Sequence, residues 1–180
     1  RMTSCASRMS TTACVKHPEP GPYRAMTNHT IDALYRAAYR LVYPPWQLYL
    51  RLFGTRTQGA QVAVWNGERV LLIRNSYRRR YVFPGGYARR GEDTAATASR
   101  ELREETGISV TTGQLDFSFA WTCNRGRHEA HDDIYECRLA DRPALSIDNR
   151  EVVEACFLTP DRALALPLEK HIRQYLSTAA

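Results

Sequence analysis

The sequence predicts an α/β fold, an α/β/α sandwich around a mixed sheet, preceded by an N-terminal amphipathic helix. Three observations predict it. β-rich runs stand before and after one breaker-free stretch between Asp93 and Gly107. Two of the early runs flank Asn66-Gly67, the strongest short hairpin signal. The chain closes on Leu168, Ile172 and Tyr175 at helical spacing. Strands on both sides of a helix, with a second helix at the end, leave a sheet whose two faces are both covered.

The elements follow in order. Residues 1–27 are rich in Ser, Thr and Arg, lack apolar periodicity and read as a disordered, dispensable tail without the h-region of a secretory signal. Residues 28–56 form a basic amphipathic segment. Ile31, Leu34, Tyr35, Ala38, Leu41 and Val42 recur at helical spacing, opposite Asp32, Arg36 and Arg40. Pro44-Pro45 are expected to end that helix, with Trp46, Tyr49, Leu50 and Phe53 on a second short piece reaching Gly54. Such a segment suits packing on its own domain, a homodimer contact, or a peripheral contact of residues 31–53 with an anionic membrane.

The domain spans residues 57–180. Gln61–Trp65 and Arg69–Asn75 make the hairpin, Tyr81-Val82-Phe83 a third short strand stopped by Pro84, and Gly85 to Glu92 a glycine-cornered loop. Asp93 or Thr94 caps the helix that Gly107 ends. Leu115, Phe117, Phe119 and Trp121 alternate with polar or small residues as a half-buried strand, and further strands are expected at Asp133–Leu139 and Val152–Leu158. Thr159-Pro160 reads as the cap and first residue of another helix.

Composition narrows the function. The net charge is +6, yet residues 1–57 hold 8 Arg/Lys against 2 acids while residues 58–180 hold 17 against 17. The domain itself is neutral, so the basic character does not point to DNA. Five scattered cysteines without a C-x-x-C pair argue for a reducing, cytoplasmic setting and against a zinc site. No run of 18 apolar residues suits a membrane span.

The helix ending at Gly107 carries the chemistry. At 100° per residue Glu101, Glu104 and Glu105 fall within one arc, and Ala95, Ala98 and Leu102 form a separate apolar stripe. The helix is expected to pack on one side and present three carboxylates on the other. Three such acids raise one another's pKa unless a cation sits among them. Oxygen donors without His or Cys favour Mg²⁺, or Mn²⁺, over Zn²⁺, and Mg²⁺ shares its shell with substrate phosphates.

Gly86, Glu92, Arg100, Glu101, Leu102, Glu104, Glu105, Gly107 and Ile108 together resemble the Nudix hydrolase signature, G-x5-E-x7-R-E-U-x-E-E-x-G-U with U aliphatic. A chance match at a given start is on the order of one in 10⁹. The resemblance implies a Mg²⁺-dependent hydrolase of a nucleoside diphosphate-linked, or similar pyrophosphate, substrate in which water attacks phosphorus. It implies Glu101, Glu104 and Glu105 as metal ligands, with the Gly86 carbonyl completing the shell. Glu101 is alternatively the base that activates water. Arg100 would hold a carboxylate in place, and Glu92 would hold the loop or reach the metal through water. An additional acid is expected from Glu129, Asp132, Asp133, Glu151 or Glu154. Arg78 and Arg80, in the Arg78-Arg79-Arg80 run before the loop, are candidate phosphate contacts, and Trp121 and Phe83 candidate stacking surfaces. The alternative is a membrane-surface module organised by residues 31–53, or a Nudix-like nucleotide-sensing module, for which one of the three helix glutamates should be missing. None is.

Overall fold

The computed structural model describes residues 29–54 and 56–179. The expectation of a disordered tail at 1–27 lies outside the described residues. In chain order the elements are α1 (His29–Phe53), β1 (Arg56–Asn66), β2 (Arg69–Asn75), β3 (Gly85–Tyr87), α2 (Thr94–Thr106), a 3₁₀ turn (Thr112–Gln114), β4 (Asp116–Arg125), β5 (His128–Leu139), β6 (Val152–Leu158), α3 (Pro160–Leu164) and α4 (Lys170–Ala179).

The sheet runs β4-β5-β1-β2-β6, with β3 also on β1. It is mixed, as expected: β1 and β5 are parallel over Arg56–Asn66, and the other pairs are antiparallel. A strand buried on both faces reads as a continuous apolar run, and Ala60 and Val62 to Trp65 are all buried. Alternation along β1 turns Gln61 and Trp65 toward α4, where Trp65 Nε1 donates to Tyr175 Oη at 2.9 Å. The opposite face takes α2, whose Ala98 and Leu102 are fully buried. Thr94 ties that helix to β5 by donating to Asp133 Oδ2 at 2.8 Å.

Three local expectations are corrected. The hairpin loop is Gly67-Glu68, because Asn66 pairs with Arg69, and the φ of 57° at Gly67 suits the first position of a type II′ turn. Tyr81 to Phe83 form no extended strand. They make single bridges, Val82 to Ile73 and Tyr81 to Leu168, while the ladder partner of β1 is Gly85–Tyr87, which the glycines had marked as loop. A Cβ at Gly85 would stand 2.2 Å from the Ala60 carbonyl, so glycine here permits close strand approach rather than a turn.

The third correction concerns Pro44-Pro45, which do not end the first helix: α1 runs through them. Both prolines lie on the exposed side, where the carbonyls deprived of a partner can be hydrated. Along its other side α1 docks on its own domain. Asp32 is buried and accepts from Arg150 Nε at 2.8 Å. Arg40 Nε donates to the Ser76 carbonyl at 3.0 Å, the Tyr43 ring lies 4.5 Å from that of Tyr77, and Leu50 is 2% exposed. The outer side remains apolar and open, with Leu34, Leu41, Val42 and Phe53 exposed by 70, 76, 64 and 67%. No helix among the described residues is long and apolar enough to cross a membrane.

Candidate functional site

The signature stretch forms β3, a loop and α2. Asp93 caps α2 by accepting from the backbone of Ala95 and Ala96, and Gly107 ends it in the left-handed conformation at φ 77°. The three glutamates do not share one environment. Glu105 lies about 20° around the helix from Ala98, at the edge of the apolar stripe, and is therefore buried. Its carboxylate accepts from Gly85 N at 2.8 Å and Asn75 Nδ2 at 3.2 Å. Burial nevertheless raises its pKa to about 8, against those hydrogen bonds and with the charges of Glu101 and Glu151 adding to the rise.

Glu101 is half-buried, and its pKa is likewise raised, first by desolvation and then, against Arg100, by Glu104 and Glu151. It stands directly against β3: a Cβ at Gly86 would be 2.7 Å from its carboxylate. Only glycine lets this helix and strand meet there, which gives Gly86 a steric role. The Gly86 carbonyl lies against β1, 2.8 Å from where a Cβ on Gly59 would stand. Glu104 is on the outer side, its side chain 45% exposed.

Arg100 gathers the rest. It donates from Nε and Nη2 to the two oxygens of Glu92, both at 2.8 Å, from Nη1 to Glu101 at 2.6 Å and Glu104 at 3.3 Å, and from Nη2 to the Tyr87 carbonyl at 3.2 Å. The bidentate pair, with the Arg89 backbone N–H, holds Glu92 down at about pKa 2. Arg100 thus links the loop to the helix and neutralises part of the acid cluster.

A hard divalent cation fits this donor set in kind: all donors are oxygens, and a cation among them would oppose the rise that burial first, and the neighbouring acids after it, impose on Glu101 and Glu105. The acids are not drawn into a ready cage; among the described residues no group of three His, Cys, Asp or Glu is already converged for a metal. Arg100 Nη1 joins Glu101 to Glu104, whereas Glu105 is taken by the Gly85 backbone N–H. Of the five outlying acids, Glu151 is the one whose charge reaches both Glu101 and Glu105, and it accepts from Tyr77 Oη at 2.8 Å and Tyr39 Oη at 3.4 Å. Glu129 and Glu154 are instead taken up by Arg56 and Arg74, and Asp133 by Thr94.

A cavity of about 360 Å³ opens beside Gly85 and Gly86. Its charged lining is Arg78, Arg80, Arg125 and Lys170 against Asp132 and Glu169. Trp121 and His171 form one wall, ring centroids 5.6 Å apart. Burial lowers the His171 pKa to about 4, so the imidazole is neutral at pH 7, and it bonds Gln61 Oε1 at 3.0 Å. Asp132 accepts from Gln61 Nε2 at 3.3 Å, and desolvation raises its pKa. Phe83 lines the cavity but is 1% exposed and packs edge-on to Tyr175, a core residue first. Arg80 pairs loosely with Glu169 at 3.5 Å, whereas Arg78 lies beside the paired rings of Tyr43 and Tyr77.

No sequence pattern points to Asn75 as the partner of Glu105, to Gln61 between Asp132 and His171, or to Tyr43 and Gln47 of α1 in the cavity wall. None of these lies within the signature or repeats at a recognisable period; each arrives through strand register or helix docking.

Comparison with known proteins agrees with this architecture. Residues 55–179 match the NUDIX domain. The methanol dehydrogenase activator of Bacillus methanolicus is 30% identical over 118 residues, 63% of this chain and 63% of that protein. The chain thus spans less than two thirds of the length of the curated relatives it matches. Among solved structures, an Ap4A hydrolase of C. elegans in a binary complex superposes with a TM-score of 0.58 at 18% identity, covering 67% of this chain and 93% of that one. The NUDIX domain of Shewanella oneidensis NrtR, complexed with ADP ribose, gives 0.59 at 18% identity over 69% and 86%. Identities that low speak for the fold alone, but a domain match over more than half of the residues, carried by an intact signature on its strand, loop and helix, establishes that the chain belongs to the Nudix family.

Proposed function

We propose that the protein is a Mg²⁺- or Mn²⁺-dependent hydrolase of a nucleoside diphosphate-linked or similar pyrophosphate substrate. The observation that carries this reading is a net-positive cavity lined by Gly85 and Gly86, whose backbone meets Glu105 and Glu101 of α2, so that an anionic substrate would lie next to the strand that the signature acids pack against. Family relatives lend support: one solved neighbour is an Ap4A hydrolase and another holds ADP ribose.

In this reading Glu101, Glu104 and Glu105 hold the metal ion, with the Gly86 carbonyl available to it, and the bound ion supplies Lewis acidity toward the phosphate oxygens and a water of lowered pKa. Alternatively Glu101, half-buried against β3, is the base that takes a proton from attacking water instead of a ligand, a role that a raised pKa suits. Arg78 and Arg80 receive phosphate oxygens. Trp121 offers its ring face to a base, and Gln61 and Asp132 offer polar atoms to its edge. Glu151 is the outlying acid best placed to assist, and Glu92 keeps the loop on Arg100. A reducing cytoplasm suits the thiols of Cys123, Cys137 and Cys156, which form no disulfide. A partner contact, as homodimer or at a membrane surface, would use the open apolar side of α1; sizing and liposome flotation tell these apart.

The deciding experiment is a panel of nucleoside triphosphates, dinucleoside polyphosphates and nucleotide sugars assayed for product with Mg²⁺ and with chelator. A Mg²⁺-dependent product supports the hydrolase. Saturable nucleotide binding without turnover would favour the sensing module instead.

Arg100→Ala tests the holding role. Loss of a group that orients ligand carboxylates is expected to weaken apparent Mg²⁺ affinity by about 10- to 100-fold, and excess Mg²⁺ should restore part of the rate. An unchanged Mg²⁺ titration with a large rise in KM would place Arg100 on the substrate instead.

A further inference from the structure

We propose that α1, which lies outside the matched domain, is a working wall of the substrate site: its Tyr43, together with Tyr77, holds the Arg78 guanidinium as the receptor for a substrate phosphate. This rests on the hydrolase reading above and adds to it a positioning residue from a segment that the family signature does not include.

Arg78 lies beside two aromatic rings. Its guanidinium carbon stands 5.7 Å from the centroids of both Tyr43 and Tyr77, whose rings are themselves 4.5 Å apart. Two aromatic faces attract a cation through their quadrupoles but offer it no anion and no hydrogen-bond acceptor. No acid lies within ion-pair distance of Arg78 among the described residues, and its Nε is buried without a hydrogen-bond partner. The nearby Asp132 is engaged by Gln61 instead. A buried donor left without a partner is unfavourable, more so on a charged group, and an anion arriving in the cavity would satisfy it.

The surroundings suit an anion. Arg78 lines the same cavity as Gly85 and Gly86, and Arg125 and Lys170 line it too. The paired tyrosine rings beside it exclude water on that side and lower the local dielectric, which strengthens the attraction of the guanidinium for a phosphate oxygen. Arg80, by contrast, is more exposed and has Glu169 beside it. Of the two arginines proposed from the sequence, Arg78 is the one that the fold leaves without an anionic partner.

Tyr43 reaches this place only because α1 is continuous through Pro44-Pro45 and docks along the domain. Upstream, Asp32 meets Arg150 at 2.8 Å; downstream, Leu50 is buried and the Arg51 carbonyl accepts from Arg127 N at 3.1 Å. The helix is thus fixed on both sides of Tyr43. Without it, Arg78 would keep only the Tyr77 ring and gain water, and its guanidinium would no longer be oriented by a closed wall.

The test uses the full chain and inorganic pyrophosphate as probe, with binding followed by calorimetry in the absence of divalent metal and well below the melting temperature of each variant. Arg78→Gln should weaken binding at least about 10-fold, since charge-assisted hydrogen bonds are lost. Tyr43→Leu should weaken it about three- to tenfold by removing a cation–π face, while Tyr43→Phe, which keeps the ring, should stay within about twofold. On a compound hydrolysed by the wild type, Tyr43→Leu should raise KM with kcat retained. Wild type that binds no pyrophosphate at millimolar concentration, or Arg78→Gln that binds it as wild type does, overturns the inference. So does a Tyr43→Leu variant that melts lower but binds unchanged, because the tyrosine would then serve only the fold. Failure of every panel compound to be hydrolysed, with Arg78-dependent pyrophosphate binding intact, would sink the hydrolase reading and leave the receptor standing.

Discussion

Glu104→Gln is expected to lower turnover of any panel compound by at least about 100-fold while leaving the melting temperature within about 2 °C of wild type. The separation of the two effects follows from where Glu104 lies. Its side chain is 45% exposed, and its partners are Arg100 Nη1 at 3.3 Å and Arg89 Nη2 at 3.5 Å. Exposed ion pairs of that kind contribute about 0–1 kcal/mol to folding, and glutamine keeps the shape and one acceptor oxygen. The lost charge matters only to a cation held among the acids. Glu105 would be the poorer probe, because its buried carboxylate serves Gly85 N and Asn75, and its removal would leave buried donors without an acceptor. Stopped assays over a Mg²⁺ titration, with thermal melts on the same samples, check both halves. Wild-type turnover by Glu104→Gln would remove Glu104 from the metal site.

A chain beginning at Gly54 is expected to melt more than about 10 °C below the full chain. Burial of Leu50 contributes about 2 kcal/mol, and the Tyr39 and Tyr43 rings against Tyr77, with the part-buried Asp32–Arg150 pair, bring the loss to several kcal/mol. For a domain of this size each kcal/mol is worth about 4 °C. Truncation also uncovers the domain surface under α1, so light scattering should show aggregation, and sizing and flotation should report any oligomer or membrane association lost with the helix. Removing residues 1–27 alone is expected to change neither melting nor activity. A truncated chain that stays soluble, keeps its oligomeric state and melts like the full chain would make α1 an independent appendage and defeat the docking described above.

The local grammar of the chain was legible without coordinates. Asp93 and Gly107 bound α2 as cap and left-handed stop, Val152–Leu158 is a strand with the bounds that its apolar run indicated, and Thr159-Pro160 opens α3. Each of these depends on residues within a few positions of one another, so propensity and period suffice. The signature, too, is local, and it named the family and the acids before any fold was drawn. Where local rules compete with long-range packing they mislead. Pro44-Pro45 would end an isolated helix, but docking through Asp32, Tyr39, Tyr43 and Leu50 outweighs the two missing hydrogen bonds. Gly85-Gly86 would read as a turn, but β1 approaches so closely that only glycine fits the ladder.

Residue order and periodicity suffice for the α/β class, the Nudix membership, and the presence of Glu101, Glu104, Glu105 and Arg100 on one short helix. Packing in three dimensions makes these acids differ, with Glu105 buried on Asn75 and Glu104 open to water, and makes Glu151, among five outlying acids, the one whose charge reaches Glu101 and Glu105. It alone brought Tyr43 to Arg78, 35 positions along the chain. The reason is physical: a helix's face and caps are set by neighbours in sequence, whereas burial, charge and orientation at a site are set by whichever distant side chains the packed sheet and docked helix carry to it.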